Sequence, residues 1–190
     1  MKVILASSSP QKRKILALTG IKFSAVPSNF REDMLQKLSP DKLALHISRG
    51  KAEAVAVRFK NAIVIGADTF LVFGKKILGK PKSIRGAKQM LRQLSGKRHT
   101  VITGFTLINT ANKKSVSRTV KNEIFFRKLS PSIIKRYVNA VNVLDKAGAY
   151  AIQDHGFMLI EKIKGDYFNI VGLPLDTLLE ELKKFGLRIK

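Results

Sequence analysis

The sequence predicts an α/β protein of the mixed α+β kind, with one central, mostly mixed sheet flanked by helices. Three observations lead to this prediction. Apolar runs of strand length alternate with helical segments along the 190 residues, three of the helices are marked by the same Ser-Pro start, and one internal run is almost continuously apolar. A chain of this length is typical of one domain, so we expect residues 1–190 to form a single domain with room for two lobes.

The first strand and helix are predicted at the start of the chain. Residues 3–6 are apolar and have the length of a short buried strand. Ser9 can cap a helix and Pro10 suits its first position, so we expect a helix from there to about Gly20. The same pair recurs at residues 39–40, where a long helix should run to about residue 58, and at residues 130–131.

The middle and end of the chain predict the rest of the sheet. Residues 62–67 (AIVIGA) form an apolar run that is typical of a strand covered on both faces, and this run ends in Asp68 and Thr69. The other predicted elements are a hairpin over 70–78, a helix over 83–94, paired strands over 99–109 and 115–126, strands over 157–163 and 168–171, and a helix from Pro174 to about Phe185.

Composition excludes several classes of protein. Without cysteine, the chain can form no disulfide, no thiolate zinc site and no cysteine nucleophile. No window approaches the roughly 20 apolar residues of a membrane span, and the first apolar run is too short for a signal peptide. We therefore expect a soluble, cytoplasmic protein with no membrane partner.

The net charge of +23 raises the question of a nucleic-acid partner. The 36 Lys and Arg residues are scattered along the chain, and five consecutive cations never occur. A dedicated patch for DNA or RNA is therefore possible but not favoured, and a general attraction for polyanions, including nucleotides, is the preferred interpretation.

Asp68 is the most informative candidate for chemistry. A carboxylate at the end of a buried strand is desolvated unless it is paired, bound to a metal or catalytic. An aspartate that caps a turn beside Thr69 explains the local sequence equally well. Glu32 belongs to the one adjacent acidic pair of the N-terminal half, and two separated acids can share a divalent cation because hard metals prefer oxygen ligands.

The junction of the first strand and helix is a candidate phosphate site. Hydroxyl groups of Ser7 and Ser9, free helix N–H groups, and the cations Lys12 and Arg13 could together hold an anion. An ordinary capped helix is the alternative. Lys51 and Lys80 could also neutralise phosphate, although a cation beside any motif is expected by chance in so basic a chain. The three histidines are isolated, which argues against a zinc site or a catalytic triad.

Eight segments of the chain, taken in order, resemble the Maf family of nucleotide pyrophosphatases. They are residues 5–10, 51–52, 66–69, 78–81, 94–96, 99–104, 145–150 with Gln153, and 165–167 with 171–174. The likeness spans nearly the whole chain. It implies a cleft between two lobes, often in a homodimer, and hydrolysis of a nucleoside triphosphate between its α and β phosphates to give the monophosphate and pyrophosphate.

The resemblance also implies roles for particular residues. Asp68 would be the proton acceptor that activates water, and the match at residues 146–150 with Gln153 is that of the branch preferring dTTP and UTP, in which Thr69 and Gln153 would help to recognise the base. A divalent cation, Mg²⁺ or Mn²⁺, is expected at Glu32 and Asp68. Phosphate contacts are expected from Ser7, Ser9, Lys12, Arg13, Lys51 and Lys80.

The chain departs from the family pattern at one place. Family members usually follow Ser-Pro with two arginines, whereas this chain has Gln11 and Lys12. Glutamine carries no charge, and lysine is a point charge where a planar guanidinium fork is expected. We therefore expect weaker nucleotide binding than in a typical member. A relative that binds nucleotides or nucleic acid with little catalysis is the alternative.

Overall fold

The computed structural model describes residues 1–33 and 36–187, and within that part of the chain it confirms the α/β class, with a seven-stranded mixed sheet and six α-helices. None of the described helices is both long and apolar enough to cross a membrane. The elements in chain order are β1 (Lys2–Leu5), α1 (Pro10–Ala17), β2 (Phe23–Ala25), α2 (Pro40–Ala56), β3 (Ala62–Phe73), β4 (Lys76–Leu78), α3 (Ile84–Leu94), β5 (Arg98–Asn109), β6 (Ser115–Phe126), α4 (Pro131–Ala140), β7 (Ile160–Lys164), α5 (Tyr167–Val171) and α6 (Leu175–Lys184).

The strands follow the order β2-β1-β3-β5-β6-β7, and β4 pairs with β3. β1 is parallel to both β2 and β3, whereas the pairs β3–β4 and β6–β7 are antiparallel. Parallel neighbours need a crossover connection, which α1 provides between β1 and β2. The sheet is therefore mixed, as the sequence predicted.

The chain divides into two compact units. The first unit comprises Met1–Thr69, Thr103–Val120 and Tyr167–Lys190, and the second comprises Phe70–Ile102 and Lys121–Asp166. Three strands, β3, β5 and β6, contribute residues to both units.

Both faces of the sheet are covered in the first unit. On β1, Val3 and Leu5 belong to a core cluster that includes residues of α1 and α6. The alternate residues Ile4 and Ala6 pack with α2 residues on the other face. Alternation of this kind follows from the two-residue period of a strand. The continuous apolar runs in the sequence therefore correspond to strands that are buried on both sides.

The Ser-Pro pairs begin helices as predicted. The side chains of Ser9, Ser39 and Ser130 accept hydrogen bonds from backbone N–H groups three residues later, and proline follows each cap. Each hydroxyl satisfies an N–H group that has no partner within the helix.

The prediction that Asp68 ends a strand is wrong. β3 runs without interruption from Ala62 to Phe73, so Asp68 and Thr69 lie in its middle. They stand between the part of β3 that pairs with β1 and the part that pairs with β4. A polar residue need not end a strand when its side chain finds a partner, and the carboxylate of Asp68 has one in Lys51.

Two predictions in the last third of the chain also need correction. Residues 168–171 lie in the helix α5 rather than in a strand, and β7 begins at Ile160, after a 3₁₀ turn over Gly156–Met158, rather than at residue 157. Short apolar runs do not distinguish a strand from one buried helical turn by their period. The helix α5 lies between Gly165 and Gly172, both of which have positive φ angles.

The second unit contains a buried aromatic cluster. His99, Phe126 and Tyr150 meet edge to face, and the ring centroids of Phe126 and Tyr150 are 4.8 Å apart. His99 is 2% exposed, and its Nε2 lies 2.7 Å from the hydroxyl of Tyr150. Burial lowers the pKa of His99 from 6.5 to about 4, because the charged imidazolium would lose its hydration.

We predict that His99 makes the protein less stable in mild acid. Between about pH 4 and 6.5 the unfolded chain binds a proton at this residue and the folded chain does not, so stability falls as the pH falls through that window. The loss should reach about 3 kcal/mol, and His99→Gln should remove this part of the pH dependence. Urea unfolding across the window measures it. His46→Gln, which removes an exposed histidine, is the control; equal slopes for the wild type and His99→Gln would contradict the prediction.

Candidate active site

Two carboxylates in the first unit share one ammonium group. Lys51 Nζ lies 2.6 Å from Asp68 Oδ1 and 2.7 Å from Glu32 Oε1. The side chains of Lys51 and Asp68 are 14% and 15% exposed, whereas that of Glu32 is 42% exposed. The cluster therefore consists of a mostly buried ion pair, Lys51 with Asp68, and the more accessible carboxylate of Glu32.

Three separate segments bring these groups together. Asp68 is on β3, Lys51 is in the fourth turn of α2, and Glu32 precedes that helix in a segment without regular structure. α2 lies unusually close to β3, because a side chain on Gly66 would lie 2.6 Å from the backbone nitrogen of Ala52 and would also collide with the carbonyl oxygen of Ser48. The absence of a side chain at Gly66 thus places Lys51 within reach of Asp68.

Burial and charge act against each other at the two lysines. Burial alone would lower the pKa of Lys51, but its Coulombic attraction and hydrogen bond to Asp68, together with those to Glu32, outweigh burial, and the pKa is raised. The pKa of Lys12, which is 9% exposed, is lowered instead. Burial lowers its pKa, the charge of Lys51 lowers it further, and the attraction of Asp68 and Glu32 does not compensate.

The serine side chains of the first Ser-Pro turn accept hydrogen bonds from backbone N–H groups of the same turn. Ser7 Oγ accepts a hydrogen bond from the N–H group of Ser9, and Ser9 Oγ accepts one from the N–H group of Lys12. The capped helix that the sequence left as an alternative is therefore present. Because Lys12 lies in the first turn of α1 and feels the charges of Asp68 and Lys51, the capped turn stands next to the carboxylate cluster.

Thr69 has partners within the first unit. Its Oγ1 lies 2.8 Å from the hydroxyl of Thr103 and donates to the carbonyl oxygen of Gly172 at 3.2 Å. Thr103 in turn donates to the carbonyl oxygen of Asn169. A methyl group on Gly172 would lie 3.3 Å from Lys12 Nζ, so the backbone there approaches both Thr69 and Lys12. Thr69 thus anchors the segment after α5 beside the cluster.

The remaining predicted site residues are Gln11, Arg13, Lys80 and Gln153. Gln11 is half-buried on α1, and Arg13 is exposed and forms no ion pair within the described part of the chain. Lys80 and Gln153 are exposed residues of the second unit. The structure therefore unites Glu32, Lys51, Asp68 and Lys12 but does not bring Arg13 into this cluster.

The donor atoms of the cluster fit one divalent cation that takes further ligands from its surroundings. The described residues include no group of three His, Asp or Glu side chains that could hold a metal. Glu32 and Asp68 supply two carboxylates around a single point. Mg²⁺ is commonly bound by one or two carboxylates together with water and substrate phosphates, so these two carboxylates are a partial donor set that such oxygens would complete.

Sequence reasoning assigned no role to Gly66, Thr103 or Gly172. Each lies in a recognisable motif, but the close packing of Gly66 and the hydrogen bond that Thr103 makes depend on partners distant in the chain. The burial of Lys12 was also unforeseen, since one lysine among many carries no local signal.

The chain is similar to known proteins over nearly all of its length. The family model described as "Maf-like protein" matches residues 2–185. Proteins named dTTP/UTP pyrophosphatase are similar over their full length: one from Thermoanaerobacter sp. is 44% identical over 100% of both chains, and one from Clostridioides difficile is 43% identical over 97% of this chain and 95% of its own. One from Methanococcoides burtonii is 42% identical over 99% and 97%.

Solved structures share the fold. The Ham1 protein of Staphylococcus aureus matches with a TM-score of 0.55 at 12% identity, covering 98% of this chain and 100% of its own. That of Coxiella burnetii matches with a TM-score of 0.50 at 14% identity, covering 97% and 99%. At such low identity the likeness concerns the fold alone.

We predict that Gly66→Ala weakens both the fold and the site. The added methyl group meets the backbone of α2 and must push the helix away from β3, which should cost about 1–3 kcal/mol and separate Lys51 from Asp68. Urea unfolding measures the loss. Gly79→Ala is the control, because a side chain there meets no atom within 4 Å. A Gly66→Ala protein as stable as the Gly79→Ala protein would rule out this close approach.

Proposed function

The chain belongs to the Maf-like protein family, and on that premise we propose that it is a nucleoside triphosphate pyrophosphatase that hydrolyses dTTP and UTP to the monophosphate and pyrophosphate. The observation that carries this proposal is the pair of carboxylates, Glu32 and Asp68, held on the ammonium of Lys51 beside the buried Lys12. Anionic and cationic groups of this kind suit a phosphoanhydride, whose hydrolysis depends on positioning and charge neutralisation.

Asp68 acts as the base in this proposal. Its Oδ1 accepts the hydrogen bond from Lys51, which fixes the orientation of the carboxylate, and among the described residues no donor is bonded to Oδ2. Oδ2 takes the proton of a water molecule as that water attacks the α phosphorus. The bond from the α phosphorus to the bridging oxygen breaks, and pyrophosphate leaves.

Cationic groups stabilise the charge that develops on the phosphates. The ammonium of Lys51 is bonded to Asp68, and Lys12 lies where the charge of Asp68 acts on it. A divalent cation, Mg²⁺ or Mn²⁺, would be held by Glu32 and Asp68 and would supply further charge neutralisation at the phosphates. Phosphate contacts from Ser7, Ser9, Arg13 and Lys80 stay predictions.

Recognition of the nucleobase of the substrate is proposed to involve Gln153, an exposed residue whose side-chain amide can donate and accept hydrogen bonds. Thr69 is proposed to act through the backbone of Gly172, which it binds. We also propose that the protein works in the cytoplasm as a homodimer, in keeping with the family resemblance.

A direct assay tests the proposed activity. Purified protein is incubated with each common nucleoside triphosphate and Mg²⁺ or Mn²⁺, and pyrophosphate and monophosphate are measured separately. Release of both in equal amounts, fastest with dTTP and UTP, is the expected result. Release of inorganic phosphate with a diphosphate product would show cleavage at the wrong bond, and tight nucleotide binding without product would indicate a binding protein.

Asp68→Asn should reduce turnover about 10²- to 10⁴-fold while the fold persists, because the amide keeps the shape but cannot accept a proton. Steady-state kinetics with dTTP and UTP measures turnover, and circular dichroism monitors the fold. Glu53→Gln, which neutralises an exposed carboxylate on α2, is the matched control and should retain the parent rate. An Asp68→Asn protein with most of the wild-type rate would remove Asp68 from the mechanism.

Gln11→Arg should lower the Michaelis constant about tenfold, since a guanidinium restores a charged, bidentate phosphate contact at the start of α1. Gln89→Arg makes the same substitution at an exposed position of α3 and controls for the added charge. If the two variants lowered the Michaelis constant equally, general attraction rather than a local contact would be responsible.

A further inference from the structure

We propose that Lys51 keeps the divalent cation out of the nucleotide-free protein and releases the two carboxylates to it only when a triphosphate binds. This inference rests on the proposed function, because it assumes that Glu32 and Asp68 are the metal ligands. It goes further by assigning Lys51 a second role: the lysine controls the order in which metal and nucleotide bind.

The geometry of the ion pairs is the first reason. The ammonium of Lys51 is already hydrogen-bonded to Asp68 Oδ1 and Glu32 Oε1, at 2.6 and 2.7 Å. A Mg²⁺ ion on the same two oxygens would need them at about 2.0–2.1 Å. Both cations cannot occupy the point between these oxygens. A metal bound to the other oxygen of each carboxylate would still face a positive charge at close range.

The surroundings of Lys51 make its displacement unfavourable without a new partner. The side chain is only 14% exposed, so the ammonium cannot simply turn into water. The charge of Lys51 lowers the pKa of Lys12, the next buried cation, and Asp68 interacts with both lysines. Moving Lys51 away from its carboxylates therefore leaves two mostly buried, positively charged lysines with less compensation.

A triphosphate removes both obstacles. Its oxygens give Lys51 and Lys12 anionic partners in place of the carboxylates, and they add the ligands that two carboxylates alone do not provide. Since the described part of the chain offers no third carboxylate or histidine at this point, the cation depends on these additional oxygens. Metal and nucleotide should therefore bind together with positive coupling.

Direct titration with Mn²⁺ tests this role. Free Mn²⁺ is followed by electron paramagnetic resonance as it is titrated into nucleotide-free wild type, Lys51→Met and Lys42→Met. Methionine keeps an unbranched side chain, one atom shorter than that of lysine, without the charge. Lys42 is an exposed lysine on the same helix, so Lys42→Met loses the same charge away from the cluster. Lys51→Gln is a second variant in case the methionine protein does not fold.

The expected result is a rise in Mn²⁺ affinity of about tenfold or more for Lys51→Met over both the wild type and Lys42→Met. Adding a nucleotide whose α and β phosphates are joined by a methylene group should raise Mn²⁺ affinity more in the wild type than in Lys51→Met. Equal affinities for wild type and Lys51→Met, or an equal rise in Lys42→Met, would overturn the inference. So would undiminished Mn²⁺ binding by Asp68→Asn, because the ion would then sit elsewhere.

Failure of this inference can be told apart from failure of the proposed function. Wild-type protein that releases pyrophosphate from dTTP while Lys51→Met leaves Mn²⁺ affinity unchanged refutes the role of Lys51 alone. If the wild type releases no pyrophosphate but Lys51→Met gains Mn²⁺ affinity, the proposed pyrophosphatase activity is refuted. The role of Lys51 as the group that competes with the metal is then supported.

Discussion

The bridging ion pair of Lys51 with Asp68 and Glu32 is the constraint on which the rest of the site depends. Two carboxylates would repel each other if they were brought together in a mostly buried place without a cation, and a buried lysine would lose its charge without a carboxylate. The raised pKa of Lys51, in spite of burial, shows that attraction outweighs desolvation here. The same contact also allows β3 to continue past a charged residue.

Close backbone packing makes this contact possible. Gly66 on β3 faces the middle of α2, and Gly104 on β5 similarly lies against the backbone of Ala44 in the same helix. The two glycines are on strands that are neighbours in the sheet. Because α2 packs directly on these two glycines, its distance from the sheet is short. Lys51 therefore reaches the carboxylate of Asp68, which a greater distance between helix and sheet would leave unpaired.

Segments distant in the chain complete the surroundings of Asp68. The hydroxyls of Thr69 and Thr103 hold the backbone at Asn169 and Gly172, and the latter approaches the buried Lys12. Thus α1, β3, β5 and the end of α5 converge within the first unit. The family model matches residues 2–185, a range that contains all of these residues.

The sequence by itself determined the features that local chemistry controls. The three Ser-Pro helix starts were predicted because a hydroxyl caps N–H groups only three residues away. The apolar runs identified the buried strands, and eight short segments in order, one of them around Asp68, indicated the family.

Only the tertiary structure decided which distant residues compensate the charge of Asp68 and which ones bury Lys12. The continuation of β3 through Asp68 depends on a lysine 17 residues earlier, and the burial of Lys12 depends on strands and loops that its own helix does not contain. The helix at residues 167–171 was mistaken for a strand because one short apolar run fits both structures until its neighbours are known. Charge compensation and close packing act between residues that are near in space and far apart in sequence, so no local pattern could reveal them.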